Sequence, residues 1–303
     1  MKQISFADAE YAGKRKQSRR ERYLIEMDQV VPWEGLITLI EAHETKGEGG
    51  RPPYPLMAIL RVRLMQNGFG YSDSAMEESL YEATILRHFA GLSLKRIPDE
   101  TTILNFRRLL EKHDLAAGIL SVINDDLGDR GLLLHHGTIV DASIIHAPSS
   151  TKNKEGKRDS EMHQTKKGNH YYFGMKAHIG MDADSSLEHS VLGTAANVAV
   201  VTQVDRLLHG EETHTAGDAG YTSVHKRPEH EGRIMIGSIS ARPNSYKKHG
   251  KKSLIGRVKR KIEYTKRRFR GLVKNTAQQV TLFALSNLWM ARKQLMIAGE
   301  VRP

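Results

Sequence analysis

Apolar residues recur at helical spacing along the first 130 residues of the chain. Between residues 21 and 44 they fit two short helices that are separated near Pro32. Proline-rich starts and capping residues then mark five further predicted helices, over residues 56–66, 74–81, 83–90, 98–110 and 115–127. Residues 1–130 are therefore predicted to form an all-helical domain, which begins with a mobile basic arm over residues 1–20.

The pattern becomes strand-like after Gly131, which is the predicted domain boundary. Strands are predicted over residues 137–145, 171–181, 187–192, 213–217 and 233–239, and helices over 199–208 and 280–296. The polar stretch 149–170 has almost no apolar residues and is predicted to be a flexible loop, whose lysines could follow a nucleic-acid backbone. Residues 131–303 are thus predicted to form an α/β domain with a mixed five-stranded sheet and helices.

The first of these strands carries a carboxylate, Asp141, within an apolar and β-branched run. An isolated charge on a buried strand is costly, and a metal ion is one way to compensate it. Alternatively, Asp141 faces solvent or is hydrogen-bonded at the strand end. Asp218 directly follows another predicted strand, so two carboxylates on neighbouring strands could hold two divalent metal ions.

The charge of the chain is concentrated near its C-terminus. Residues 242–293 contain 16 Lys or Arg and one acid, Glu263, whereas the rest of the chain is slightly acidic. Such a segment is either a set of solvated helix faces or, as we favour, a surface for a polyanion such as nucleic acid. The chain has no Cys, which excludes disulfides and thiol chemistry. It shows no signal peptide and no membrane span, so we expect an intracellular protein.

Six stretches together resemble bacterial insertion-sequence transposases of the DDE type, closest to the IS-five kind. They are Pro52-Pro-Tyr-Pro-Leu-Met-Ala-Ile-Leu-Arg61, Pro98-Asp-Glu-Thr-Thr-Ile-Leu-Asn-Phe-Arg107, Val140-Asp-Ala-Ser-Ile-Ile-His-Ala-Pro-Ser-Ser150, Phe173-Gly-Met-Lys-Ala-His178, Gly217-Asp-Ala-Gly-Tyr221 and Arg270-Gly-Leu-Val-Lys-Asn275. The resemblance covers nearly the whole chain. It implies an RNase-H-like catalytic fold in which Asp141 and Asp218 bind the metal, Mg²⁺ or Mn²⁺.

The sequence departs from the family pattern at the third carboxylate. The family places a catalytic Glu in a Val-Glu-His-Pro-Phe stretch within a Tyr-x2-Arg-x3-Glu-x6-Lys signature, and no such stretch occurs here. Glu263 is the only acid between Glu231 and Glu300, and Gly256 stands where the signature has Tyr. Either Glu263 is the third metal ligand, or it is an ordinary helix residue that flanks an internal deletion.

The resemblance implies a DNA transposase that cleaves and joins phosphodiester bonds at the ends of an insertion sequence. The alternatives are a catalytically impaired relative that only binds DNA, and a general RNase-H-like nuclease without strand transfer. Its partners would be double-stranded DNA, as terminal inverted repeats and as target, and a second copy of the chain on that DNA. The helical domain would bind DNA, dimerise or have a structural role, and the protein would lie in the bacterial cytoplasm at the nucleoid.

Basic residues in the second half of the chain are the predicted DNA contacts. Lys176 and His178 alternate on one strand and either contact DNA or form a solvated hairpin face. The remaining candidates are Lys247, Lys248, Lys251, Lys252, Arg257, Lys259, Arg260, Lys266, Arg267, Arg268, Arg270 and Lys274.

Overall fold

The computed structural model describes residues 16–44, 52–154, 156–217, 221, 236–239 and 266–300. Within these ranges the helices are α1 (Arg19–Val30), α2 (Trp33–Glu41), α3 (Leu56–Phe69), α4 (Asp73–Glu82), α5 (Thr84–Ala90), α6 (Glu100–Lys112), α7 (Leu115–Asp129) and α8 (Leu272–Glu300). The strands are β1 (Gly137–His146), β2 (His163–Lys167), β3 (His170–Asp182), β4 (Glu188–Ala195), β5 (His214–Gly217) and β6 (Ile236–Ile239).

Among the described residues, seven helices precede the sheet, as the periodicity predicts. Their starts follow from capping residues: the side chains of Ser18, Ser72 and Asp99 accept hydrogen bonds from the first turns of α1, α4 and α6. Ser18 and Glu21 form a reciprocal capping box, so α1 begins within the predicted basic arm. Residues 1–15 of that arm lie outside the described residues.

Helix α3 is largely buried although it contains two arginines. The Arg61 guanidinium donates to Asp28 Oδ1 of α1 at 2.5 Å and to the Phe89 carbonyl of α5 at 2.6 Å, and it lies over the Trp33 ring. Arg63 is 7% exposed and donates to Gln66 Oε1. Each of these hydrogen bonds offsets part of the cost of removing a guanidinium group from water.

Spatial proximity divides the chain into two compact units. One consists of residues up to Ile123 together with those from Leu288 onward, and the other of Asn124–Asn287. The sequence predicts a domain boundary between residues 130 and 131. This division into domains 1–130 and 131–303 stays a prediction.

The second unit contains a mixed sheet in which β1 is a central strand. The strand order is β2-β3-β1-β5-β6, and β4 also pairs with β3. β1 runs antiparallel to β3 and parallel to β5, which in turn runs parallel to β6. This mixed topology, with helices before and after it, confirms the predicted α/β class and is RNase-H-like.

Two residues of β1, five positions apart, contribute to two different hydrophobic clusters. Val140 packs with Val204, Leu207 and Tyr221, whereas Ile145 packs with Met162, Met175 and Ala177. Because side chains alternate along a strand, the two clusters lie on opposite faces of the sheet. The sheet is therefore covered on both faces around its central strand.

Two predictions for this unit were wrong in part. The expected loop 149–170 contains β2, which pairs with β3 through a two-residue turn at Gly168-Asn169, where Gly168 has a φ of +61°. That dipeptide is a hairpin signal, and the polar composition of β2 concealed it. The helix expected over residues 199–208 is only a short 3₁₀ helix, Val200–Gln203. Its β-branched residues disfavour an α-helix.

Candidate active site around Asp141

Asp141 lies in the middle of β1 and is 5% exposed. Its neighbour on β3 is Ile179, and the preceding residue, Val140, pairs with Gly217 of β5. The alternative that Asp141 faces solvent is wrong, because only 5% of the residue is exposed. Burial of a carboxylate must be compensated by hydrogen bonds or cations. This buried position therefore favours the interpretation of Asp141 as a metal ligand.

The end of β5 packs closely against β1. A Cβ atom at Gly217 would lie 3.1 Å from ring atoms of Tyr221 and 3.1 Å from Val140 Cγ2, a separation too short for an unstrained contact. Tyr221 itself is 1% exposed. This close approach fixes the backbone of β5 at Gly217, the residue before Asp218 in the sequence. Asp218 and Glu263, the other predicted metal ligands, lie outside the described residues.

The predicted DNA contact at His178 is wrong. His178 is fully buried, and its Nε2 lies 2.8 Å from Thr194 Oγ1 of β4. Lys176, two residues earlier, is partly buried and donates to the Val198 carbonyl at 2.6 Å. Both side chains are used within the unit because β3 is a central strand that is covered on this face. The solvated hairpin face is excluded for the fully buried His178, whereas Lys176 is partly exposed and its DNA contact stays a prediction.

Five of the predicted DNA contacts in the basic segment are described, and they lie around the start of α8. Lys266, Arg268, Arg270 and Lys274 are exposed. Arg267 is half-buried and forms an ion pair with Asp159, which is 6% exposed. The other candidates, Lys247, Lys248, Lys251, Lys252, Arg257, Lys259 and Arg260, lie outside the described residues. Direct DNA contact by any of these residues stays a prediction.

Asp159 and Glu161 anchor the start of α8, a role that the sequence analysis missed. Asp159 Oδ2 accepts from the Gly271 amide at 2.9 Å, and Glu161 Oε2 accepts from the Leu272 amide at 2.8 Å. Burial raises the pKa of Asp159, but amide hydrogen bonds and Arg267 outweigh it and lower the pKa below its usual value. Acids suit a helix N-terminus, yet these two lie more than a hundred positions away in sequence.

A second buried carboxylate, Asp182, has a backbone role. Its oxygens accept from the amides of Leu134, His135, Asp184 and Ser185 at 2.6–3.1 Å. Burial raises the pKa of Asp182, but these hydrogen bonds outweigh burial and lower the pKa. Asp182 thus fixes the β3–β4 connection, a backbone role that Asp commonly has in turns, and is not a candidate catalytic group.

Two histidines, the buried His178 and the partly buried His189, give the fold a specific pH dependence. Burial lowers the pKa of His178 and of His189 from 6.5 to about 4. Because the unfolded chain then binds protons more tightly than the folded chain, their contribution to stability is complete above pH 6.5 and is lost as the pH falls from 6.5 towards 4. By pH 5 each histidine should lower the free energy of unfolding by about 2 kcal/mol.

We expect His178→Gln to remove about half of this loss, since it leaves only one of the two titrating groups. Urea unfolding at pH 7.5 and at pH 5 measures it, and the window avoids most carboxylate titration. His170→Gln, at an exposed position of β3, is the control and should keep the wild-type difference. A wild-type pH difference in His178→Gln would contradict the assignment.

Within the ranges that the structure describes, no three His, Asp or Glu side chains are arranged to hold a metal ion. Among the same residues, no helix has both the length and the apolar character needed to cross a membrane.

Comparison with protein-family models assigns both parts of the chain. Residues 13–109 match the family described as Transposase domain (DUF772), and residues 133–296 match the Transposase DDE domain. The second match includes β1, β5 and the start of α8. The chain belongs to the DDE transposase family. No solved structure matches the transposase in a structure search.

Family membership makes this transposase a protein of mobile elements, with DNA as the substrate that the family implies. DDE transposases use divalent metal ions as a family. The buried position of Asp141 on the central strand fits such a group, because carboxylate oxygens are preferred ligands of Mg²⁺ and Mn²⁺.

Proposed function

We propose that this transposase cleaves and joins phosphodiester bonds at the ends of an insertion sequence of the IS-five kind, with Asp141 and Asp218 as metal-binding carboxylates. The parallel pair of Val140 and Gly217 carries this proposal. Each of these residues is followed in the sequence by an aspartate, and parallel strands run in the same direction. A continuation of the pair by one residue would make the two carboxylates neighbours.

The chemistry divides between the metal and the protein. When bound, Mg²⁺ or Mn²⁺ favours the ionised form of the attacking water or 3′-hydroxyl and stabilises the leaving oxygen. Asp141 supplies a carboxylate whose orientation is set by hydrogen-bonded strands on both sides. The two hydrophobic clusters beside β1 keep its backbone rigid, and basic residues after β5 hold the DNA backbone by charge.

We assign the third carboxylate to Glu263, the only acid between Glu231 and Glu300. Lys266 forms a parallel bridge with His146, the last residue of β1, and the Arg267 amide donates to the His146 carbonyl at 2.8 Å. Glu263 precedes Lys266 by three residues, as Ser143 precedes His146. Lys266, three residues after Glu263 in the sequence, thus lies beside the strand that carries Asp141, which supports this assignment.

The missing family signature supports a second candidate, a catalytically impaired relative with an internal deletion that only binds DNA. The two candidates differ in a strand-cleavage assay with Mg²⁺ on DNA that carries the ends of the element. Cleavage by the wild type, lost in Glu263→Gln, supports the active enzyme with Glu263 as ligand. Cleavage unaffected by Glu263→Gln contradicts the assignment of Glu263, and salt-dependent DNA binding without any cleavage supports the impaired relative.

The partners follow from this reaction. Domain 1–130 would recognise terminal inverted repeats or dimerise, and the basic residues between Lys247 and Lys274 would contact inverted-repeat and target DNA. Two copies of the chain would act on one pair of ends, at the bacterial nucleoid. Analytical ultracentrifugation with and without end DNA tests the dimer, since a complex that contains one chain per pair of ends would contradict it.

A further inference from the structure

A basic pocket lies between the segment that follows β1 and the segment that leads into α8. Its cavity measures about 240 Å³, the volume of roughly eight water molecules. Five of its lining residues are cationic: Lys154, Lys157, Arg158, Arg267 and Arg270. Among the described lining residues, the only other charged side chain is the carboxylate of Asp159.

That carboxylate is already engaged, so it does not neutralise the whole pocket. Asp159 forms an ion pair with Arg267 and accepts from the Gly271 amide. Because of these contacts Asp159 is directed away from solvent, and only 6% of the residue is exposed. Lys154, Lys157 and Arg158 are exposed at the mouth, and the cavity therefore carries a net positive charge.

Hydrogen bonds hold the walls of the pocket in place. The Asn153 side chain donates to the Lys157 carbonyl at 2.8 Å and accepts from the Lys157 amide at 3.3 Å, which closes the turn that carries both lysines. The guanidinium carbon of Arg158 lies 5.5 Å from the centre of the Phe173 ring. Opposite them, the Arg267 amide donates to the His146 carbonyl. A pre-formed cationic site loses less entropy when an anion binds.

We propose that this pocket binds one backbone phosphate of DNA, at some distance from the phosphate that reacts. Lysine offers a point charge and arginine a planar fork, and both suit phosphate oxygens. The five residue steps from Asp141 to His146 extend about 16 Å along β1. The pocket, whose lining begins with Pro148, therefore lies well away from Asp141. Only the position of the reacting phosphate rests on the proposed function.

The test removes two charges from the pocket of the full chain. Lys154→Gln/Lys157→Gln should bind a fluorescent DNA duplex more weakly than the wild type, because fewer counterions are released. We expect the slope of log affinity against log salt to decrease in magnitude by about 1, the value for one phosphate contact. Fluorescence anisotropy in EDTA measures binding without any cleavage, so a failure of the catalytic proposal would not affect this result.

The control is Arg206→Gln, which removes positive charge from an exposed position outside every predicted DNA contact. It should keep the wild-type slope. An equal decrease in the control would overturn the proposal, because general surface charge would explain both. Isothermal titration with inorganic phosphate distinguishes the source of the anion. Phosphate heat that the Lys154→Gln/Lys157→Gln variant loses while its DNA slope stays at the wild-type value would overturn DNA as the ligand.

Discussion

Asp141→Asn is expected to abolish Mg²⁺-dependent DNA cleavage while the protein stays folded and binds DNA. Asparagine has nearly the same shape as aspartate, so the packing of β1 should tolerate it. Its neutral amide is a much weaker ligand for a hard cation than a carboxylate is. We expect a loss on the order of 10³-fold in the cleavage rate, which corresponds to about 4 kcal/mol of transition-state stabilisation.

Single-turnover cleavage of DNA that carries the element's ends measures this loss. Asp184→Asn, in the β3–β4 turn where the side chain is 51% exposed, is the matched control and should cleave at the wild-type rate. Asp218→Asn should resemble Asp141→Asn, and the double variant should lose little more, because residues that act as one unit are not additive. Wild-type cleavage by Asp141→Asn would reject Asp141 as a metal ligand.

Gly174→Ala is expected to cause the largest loss of stability among glycine substitutions in the sheet. Gly174 pairs with His146 at the end of β1, and a Cβ atom there would lie 2.0 Å from the Ile145 carbonyl oxygen. The obstacle is backbone, so β1 and β3 must separate to admit the methyl group. We expect the free energy of unfolding to fall by about 3 kcal/mol, at the upper end for overpacking. Urea unfolding measures it.

Gly128→Ala provides the opposite control. Gly128 lies in α7, and nothing lies within 4 Å of the position that its Cβ would occupy. Alanine should therefore stabilise the protein by about 0.5–1 kcal/mol through its higher helix propensity. A Gly174→Ala protein as stable as the wild type would show that β1 and β3 do not approach each other as closely as described.

The sequence was sufficient where structure depends on local pattern. Helical spacing and capping residues located α1 to α7 to within a few residues, and the β-branched run around Asp141 located β1. The predictions for two elements were wrong for local reasons. The polar residues of β2 concealed its Gly168-Asn169 turn, and the valines at 200 and 201 favoured a 3₁₀ turn over the α-helix that their apolar spacing predicted.

The site was less predictable because its parts are distant in sequence. Asp141 could be singled out from the apolar run around it. The pairing of Asp159 with Arg267 joins residues that are 108 positions apart, and no local pattern indicates it. His178 was wrongly predicted to contact DNA because alternation along a strand shows which residues share a face, but not whether another layer covers that face.

Mn²⁺ binding is the most direct test of the claim that Asp141 and Asp218 together hold a divalent ion. Electron paramagnetic resonance of Mn²⁺ titrated into the full chain counts bound ions without requiring a DNA substrate or turnover. We predict saturable binding by the wild type that is lost in Asp141→Asn and in Asp218→Asn but retained in Asp184→Asn. Undiminished Mn²⁺ binding by Asp141→Asn or by Asp218→Asn would contradict the claim that the two aspartates hold the ion together.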